Sequence, residues 1–296
     1  MITAAQQQAQ RNRDTIFVEE SEVLSHEAWP GDQYVMRLRA PKCAATARAG
    51  SFVHLTCDEE LPMRRPLSIM RAADDWIEVL YKVVGEGLHL LTRKQPGDIV
   101  SLLGPIGQPF QFHRERPSAL LIGGGVGIPP MIFIADEMRR ESGNWRPLAI
   151  LGSEIPFPFD LQSSNLPVAG VDDAVSSTMP LLERWGIPAR LTSLQGYEGC
   201  YNGYVTALAE RWLQHLDSSE RGRVEVFACG PTPMLRVVAE LAARYDLPCQ
   251  VSLEEFMACA IGGCAGCVVK IETTDGPQMK RVCVDGPVFD ASTVVW

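Results

Sequence analysis

Four of the nine cysteines, Cys259, Cys264, Cys267 and Cys283, fall within 25 residues near the C-terminus with the spacing C-x4-C-x2-C-x15-C. The first three sit in CAIGGCAGC, where Gly262, Gly263 and Gly266 let the backbone approach the sulfurs without a Cβ clash. The N-terminal residues, MITAAQQQAQRNRD, lack the apolar core of a secretory leader, and no apolar run approaches the roughly 20 residues that span a bilayer. These features imply a cytoplasmic protein with no membrane partner. Thiols stay reduced there, so a dense local cluster reads as metal-binding rather than disulfide-bonded.

The spacing matches plant-type ferredoxin loops, in which thiolates wrap a 2Fe-2S cluster and backbone N–H groups point at the sulfurs. The alternative is a structural zinc ion held by four cysteines. Such sites usually use two C-x2-C pairs, and only one pair here is that close. The other five cysteines, Cys43, Cys57, Cys200, Cys229 and Cys249, are scattered and read as mostly buried small apolar residues.

Of the 296 residues 46% are hydrophobic and 21% charged, which suits two folded domains and an appendage rather than a disordered chain. The net charge of -9 argues against nucleic acid as a partner. Residues 1–14 are polar and Gln-rich and read as a disordered tail. Over 15–112, strands at 33–39, 51–57, 65–70 and 76–84 alternate with Gly, Pro and Asp turns, which predicts an antiparallel β-barrel. After GPIGQPF the pattern changes. Strands at 119–122, 148–151, 190–192, 224–229 and 250–253 alternate with helices at 128–140, 179–185, 205–216 and 233–245. That order predicts a Rossmann-like parallel α/β domain over 113–253, and leaves 254–296 as a small cysteine-bearing subdomain.

Two stretches of the barrel suit a diphosphate. RRPLSIM places Arg65, Pro66 and Ser68 on a strand, and YKVVGEG brings Tyr81, Lys82 and Gly87 ahead of a helix start. Arg65 suits bidentate pairing with phosphate and Ser68 can donate to a flavin or phosphate oxygen, while a glycine loop opening a helix offers free N–H groups. The plain alternatives are a solvated strand end and an ordinary turn. In the second domain, GGGVGIPPM (Gly123, Gly124, Gly125 and Gly127) follows a strand and opens a helix. ACGPTPM, with Cys229, Gly230 and Pro231, is a second strand-to-helix turn at the edge where open α/β sheets bind ligands. Both also serve as simple tight turns. Cys229 is the candidate catalytic residue beside a nicotinamide ring. Glu154 stands where a 2′-phosphate would want a cation, and its carboxylate favours NADH over NADPH.

RPLS, YKVVGEG, GPIG, GGGVGIPPM, CGPTPM and the four-cysteine tail occur in that order. Together they resemble the ferredoxin–NADP reductase superfamily. Within it they are most similar to the electron-transfer subunits of two-subunit, NAD-dependent dihydroorotate dehydrogenases, with SLEEFMACAIGGCAGCVVK and VCVDGPVF as the most specific part. The resemblance runs from Thr15 on. It implies FAD on Arg65, Pro66, Leu67, Ser68, Leu80, Tyr81, Lys82, Gly87 and Leu88, a 2Fe-2S cluster on the four cysteines, and NAD(H) on the second domain. The chain departs from the family where Leu88 replaces a Thr or Ser, where Phe256 replaces a common Arg, and where SLQGYEGCYNGYVT replaces an acidic, glycine-containing stretch.

The resemblance further implies electron passage between NAD(H), FAD and the cluster, to or from an FMN-containing dihydroorotate dehydrogenase catalytic subunit in pyrimidine biosynthesis, with two copies of each subunit. Electron counting agrees: hydride carries two electrons and a 2Fe-2S centre takes one, so a flavin must stand between them. The five histidines are dispersed and form no catalytic constellation with carboxylates, so dihydroorotate chemistry falls to the partner. Two rivals remain at this level. One is the reductase subunit of another NAD(P)H-dependent complex, of the sulfhydrogenase or bifurcating transhydrogenase type; the other is a non-enzymatic, zinc-stabilised scaffold.

Overall fold

The computed structural model describes residues 15–296, so the tail expected over 1–14 lies outside the described residues. Six strands, β1 (Phe17–Trp29), β2 (Gln33–Arg39), β3 (Phe52–Leu55), β4 (Arg65–Ala73), β5 (Trp76–Lys82) and β6 (Ile99–Ile106), close into an antiparallel barrel. The barrel order is β1-β2-β5-β4-β3-β6. Alternate residues such as Met36 and Leu38, or Ile77 and Val79, fill its interior, as a period of two requires. Helix α1 (Pro41–Thr46) buries Cys43 in the same core, and α2 (Gly85–Leu91) follows β5.

Two barrel strands were not evident from sequence pattern. Strand β1 pairs with β6 through its first half and with β2 through its second, with a register break between Val23 and Ser25. Glu20 and Glu27 are exposed, Glu19 is turned to the Lys42 and Cys43 N–H groups, and few of its apolar residues are buried, which hides the alternation. Strand β6 runs into Gly104–Ile106, so GPIG is a strand end rather than the start of the linker.

The second domain comprises β7 (Ser118–Gly124), α3 (Ile128–Arg140), β8 (Leu148–Gly152), β9 (Gln162–Ser163), β10 (Ser177–Thr178) and α4 (Pro180–Arg184). It continues through β11 (Ala189–Ser193), β12 (Tyr201–Asn202), α5 (Val205–His215), α6 (Ser218–Arg221), β13 (Val224–Cys229), α7 (Thr232–Arg244) and β14 (Cys249–Ser252). Beyond it lie β15 (Val268–Thr273), β16 (Gly276–Arg281) and β17 (Val288–Asp290). Strands β7 and β13 are buried on both faces and read as unbroken apolar runs for that reason. Helix α3 starts with prolines in its first turn and ends on Arg139 and Arg140, which suit its dipole.

The main sheet has the order β12-β11-β8-β7-β13-β14-β17, with all pairs parallel except β14 with β17. The chain steps outward from β7 to β12, then returns to β13 on the other side of β7. The switch point therefore falls between the two strands that carry the glycine turns. The β9–β10 ribbon and its flanking loops are an insertion between β8 and α4 that periodicity did not foretell. The last strand returns from the cysteine-bearing segment to the edge of the sheet. Among the described residues, no helix is long and apolar enough to cross a membrane.

Candidate functional site

A cavity of about 910 Å³ opens where three parts of the chain meet. Arg65, Pro66, Leu67 and Ser68 of β4, Leu80, Tyr81 and Lys82 of β5, and Leu88 of α2 line one side. Val126, between β7 and α3, and the stretch from Ser252 to Ala258 line the other, and Gly266 of the cysteine loop closes it. This is the upper end of the roughly 300–1,000 Å³ typical of cofactor sites. The Ser252–Ala258 wall was not anticipated. It lies between two recognisable elements and has no pattern of its own.

The two neighbouring arginines have different fates. Arg64 donates to the His54 and Ser101 carbonyls and to Ser101 Oγ, so it is a structural bracket between β3 and β6. Arg65 donates through Nη1 to the Met63 carbonyl at 2.6 Å, and its guanidinium packs on Gly87, where an added Cβ would lie 2.8 Å from Nη2. A cation and the first turn of α2 thus share one spot at the cavity edge, an arrangement suited to a diphosphate. Gly87 supports this wall from behind rather than lining it. Behind Tyr81, the phenol donates to His26 Nε2 at 2.8 Å while His26 Nδ1 donates to the Lys94 carbonyl, also at 2.8 Å. Burial raises the Tyr81 phenol far above its usual range, so it stays neutral. Tyr34 stacks on its ring at 5.4 Å and fixes the ring plane.

At the switch point the two glycine turns touch backbone to backbone. A Cβ on Gly127 would lie 2.2 Å from the Cys229 carbonyl oxygen, and the Met234 sulfur packs on both Gly124 and Gly230. Gly125 has nothing within 4 Å of its Cβ position and is open to a ligand. Gly123 and Pro231 belong to the same packed pair of turns. Cys229 is placed otherwise than expected. Its side chain is fully buried, beside Ser252 on the neighbouring strand, and burial, reinforced by Glu254, raises its thiol well above the usual range. Ser252 is the cavity wall, and Cys229 stands one layer behind it. Glu254 lines the cavity and is exposed at its surface, while the protein around it raises its carboxyl by desolvation. Glu154 lies outside the cavity at the end of β8. It accepts from Leu194 N–H at 3.4 Å and from Gln195 Nε2 at 3.3 Å, which joins the ends of β8 and β11.

All nine cysteines are free thiols, and four of the five outside the cluster segment are buried. Within the loop, Ala260, Gly262 and Ala265 adopt left-handed backbone at φ 56°, 81° and 51°. Two alanines in that region are costly, and the turn they make aims N–H groups inward. Cys264 N–H donates to Cys259 Sγ and Gly266 N–H to Cys264 Sγ, both at 3.4 Å. Burial pushes the Cys259 thiol up, but N–H groups of Ile261, Cys264 and Gly263 outweigh it and hold the thiol down at about 7. Cys283 is pushed up to about 12 by burial and by Cys267.

Cys283 feels the charge of both Cys267 and Cys259, so the cysteines act on one another electrostatically. Among the described residues, no three Cys, His, Asp or Glu side chains converge on one point suited to a single ion. Backbone N–H groups donated to cysteine sulfur suit the thiolates of an iron–sulfur cluster. Arg281, which donates to the Gly262 carbonyl at 3.0 Å and pairs with Asp285, holds the loop in place.

Comparison with known proteins adds to this geometry. Residues 254–295 match the model of the iron-sulfur cluster binding domain of dihydroorotate dehydrogenase B. The chain is 31% identical over 248 residues to the dihydroorotate dehydrogenase B (NAD(+)) electron transfer subunit of Caldanaerobacter subterraneus subsp. tengcongensis, covering 83% of this chain and 87% of that protein. The chain belongs to this family of electron transfer subunits. The family's Desulforamulus reducens member is 29% identical over 267 residues, covering 89% of this chain and 92% of its own.

Among solved structures, a chain of an NADH-dependent reduced ferredoxin–NADP oxidoreductase, studied for flavin-based electron bifurcation, superposes with a TM-score of 0.74 at 25% identity. That match covers 94% of this chain and 90% of the other. The ferredoxin reductase of carbazole 1,9a-dioxygenase, at 20% identity and TM-score 0.60 over 79% of this chain and 67% of its own, shares the fold. The chain is thus an oxidoreductase component of ferredoxin reductase type, and the family-matched segment contains all four clustered cysteines.

Proposed function

We propose that this chain passes electrons between NADH and a catalytic partner subunit, using FAD in the barrel cavity and a 2Fe-2S cluster on Cys259, Cys264, Cys267 and Cys283. The observation that carries the reading is the single cavity bounded by the barrel strands, the β7–α3 turn and the cysteine loop. Bound there, FAD supplies the conversion between the two electrons of a hydride and the single electron a 2Fe-2S centre takes.

The chain's own residues divide the work. Arg65 and the start of α2 neutralise the diphosphate, with the free N–H groups of Gly85, Glu86 and Gly87 standing in for the hydroxyl this chain lacks at Leu88. Ser68 donates to the flavin. Leu67, Leu80 and Tyr81 exclude water from it, and the Tyr81–His26 hydrogen bond fixes the phenol. Pro66 and Lys82 complete that wall. Gly123, Gly124, Gly125 and Gly127, facing Gly230 and Pro231, form the nicotinamide-side floor. Cys229 supports that floor through Ser252, and Glu154 takes the adenosine ribose. The partner we infer is an FMN-containing dihydroorotate dehydrogenase subunit, two copies of each forming the complex, in cytoplasmic pyrimidine biosynthesis. The domains follow as 15–112 for FAD, 113–253 for NAD and 254–296 for the cluster.

A second reading, a reductase subunit of a bifurcating complex, draws on the structural likeness to the NADH-dependent reduced ferredoxin–NADP oxidoreductase chain. Isolation of the native complex separates the two: an FMN-bearing dihydroorotate dehydrogenase as the bound subunit supports the first, and any other redox partner overturns it. The cofactor assignment is tested on anaerobically purified chain by visible absorption with flavin, iron and acid-labile sulfide assays. Flavin bands over a broad iron–sulfur shoulder are expected. A colourless protein containing zinc would overturn the assignment.

A further inference from the structure

Five side chains alternate in a stack that crosses from the barrel to the α/β domain. The Arg37 guanidinium lies 4.2 Å from the Trp76 ring centre, and Arg71 lies 5.2 Å from the same ring. Arg71 also faces Trp185 at 5.7 Å, and Arg139 covers Trp185 at 4.4 Å. Arg37, Trp76 and Arg71 belong to barrel strands β2, β5 and β4, whereas Trp185 follows α4 and Arg139 ends α3. At each end one carboxylate serves two guanidiniums. Glu78 pairs with Arg37 at 2.8 Å and Arg71 at 3.5 Å, and buried Asp136 pairs with Arg139 at 2.6 Å and with Arg140. Arg71 donates through Nη1 to Glu78, while its Nε is buried without a hydrogen-bond partner and the guanidinium lies between the two indole faces.

The stack sits at one end of a pair of elements whose other end is the cavity. Helix α3 packs along β4. At the cavity end, Ser68 of β4 and Val126 before α3 line the same space. At the far end Arg140 donates to the Ala72 carbonyl of β4 at 3.1 Å, and Glu137 accepts from Arg48 Nε and Ala49 N–H, each at 3.0 Å. A helix of 13 residues is about 20 Å long and stiff. A shift of its clamped C-terminal turn therefore reappears at its N-terminal glycine turn.

We propose that the Arg37–Trp76–Arg71–Trp185–Arg139 stack is a positioning device. It sets the separation between the flavin wall on β4 and the nicotinamide turn before α3, and with it the geometry of hydride transfer. This rests on the function proposed above. None of the five residues touches the cavity, so they act through α3 and β4.

The test uses the FAD- and cluster-loaded chain with Arg71→Leu, Trp185→Leu and the milder Trp185→Phe and Arg71→Lys. Single-turnover flavin reduction by NADH, flavin content, and hydrogen exchange over β4 and residues 137–140 are measured together. We expect the leucine variants to slow reduction roughly tenfold to a hundredfold at unchanged flavin content. Exchange at 137–140 rises, Trp185→Phe falls between, and Arg71→Lys recovers most of the rate. Wild-type rates in folded leucine variants, or a loss that merely tracks flavin loss, would overturn the proposal. If the leucine variants do not fold, a wild-type rate in Trp185→Phe together with no recovery in Arg71→Lys does so. If NADH fails to reduce the wild-type flavin, the function itself is wrong, and unchanged exchange at 137–140 then removes the clamp as well.

Discussion

The guanidinium of Arg65 rests on the backbone of Gly87, so closely that a Cβ at Gly87 would lie 2.8 Å from Nη2. Gly87→Ala favours the helix by up to about 1 kcal/mol, because glycine is the poorer helix former. The flexible guanidinium must then move off its anion. FAD titration should show binding weakened about tenfold, consistent with losing part of a charged hydrogen bond worth roughly 1.5–3 kcal/mol, with the melting temperature unchanged or raised. Unaltered affinity would separate Arg65 from the diphosphate.

Gly127 meets backbone rather than a movable side chain, with the Cys229 oxygen at 2.2 Å and the Gly230 nitrogen at 2.5 Å from a Cβ. Gly127→Ala must therefore prise the β7 and β13 turns apart, a strain of about 1–3 kcal/mol. The flavin wall on the barrel is not involved. The variant should keep its flavin, lose NADH-dependent bleaching and melt lower. Normal bleaching would move the nicotinamide away from this turn.

His54 gives the fold an acid limit. Its nitrogens lie near the backbone of Arg64 and Met257 without hydrogen-bond geometry, and burial, then the Arg64 charge, lowers its pKa from 6.5 to about 4. The unfolded chain takes a proton below about 6.5 and the folded chain only below about 4. Protons in that window therefore favour unfolding. Stability is full above it, falls as pH drops through it, and levels off beneath it, by up to roughly 3 kcal/mol. Urea unfolding of His54→Leu should give a flatter profile across the window than wild type, and parallel profiles would place the acid sensitivity elsewhere.

Glu154 is held by Leu194 N–H and Gln195 at the carboxyl edge of the sheet. Glu154→Arg should shift the ratio of NADPH to NADH use upward by roughly tenfold, the scale of one charge-assisted hydrogen bond. A ratio equal to wild type would remove Glu154 from the ribose.

Both glycine turns, the buried runs of β7 and β13 and the four-cysteine loop were legible in the sequence. Each is dictated locally, by a left-handed residue, a two-sided burial or a ligand spacing. Strand β1 was not, because half of it pairs one way and half another and few of its apolar residues are buried. Nor was the Ser252–Ala258 wall, whose position depends on β14 being followed at once by the cysteine loop. Cys229 shows the limit most plainly: its place at a strand end was right, but whether its thiol reaches the cavity depends on Ser252, which sits on the neighbouring strand β14.

Function requires electrons to cross from the nicotinamide side of the cavity to the cysteine loop. Anaerobic NADH titration of the FAD- and cluster-loaded chain, with flavin followed by absorbance and the cluster by electron paramagnetic resonance, measures this directly. Wild type should bleach its flavin and develop the signal of a reduced 2Fe-2S centre. Cys267→Ser should bleach without the signal and fail to reduce the partner. A wild-type cluster that stays oxidised while its flavin is fully reduced would contradict the account.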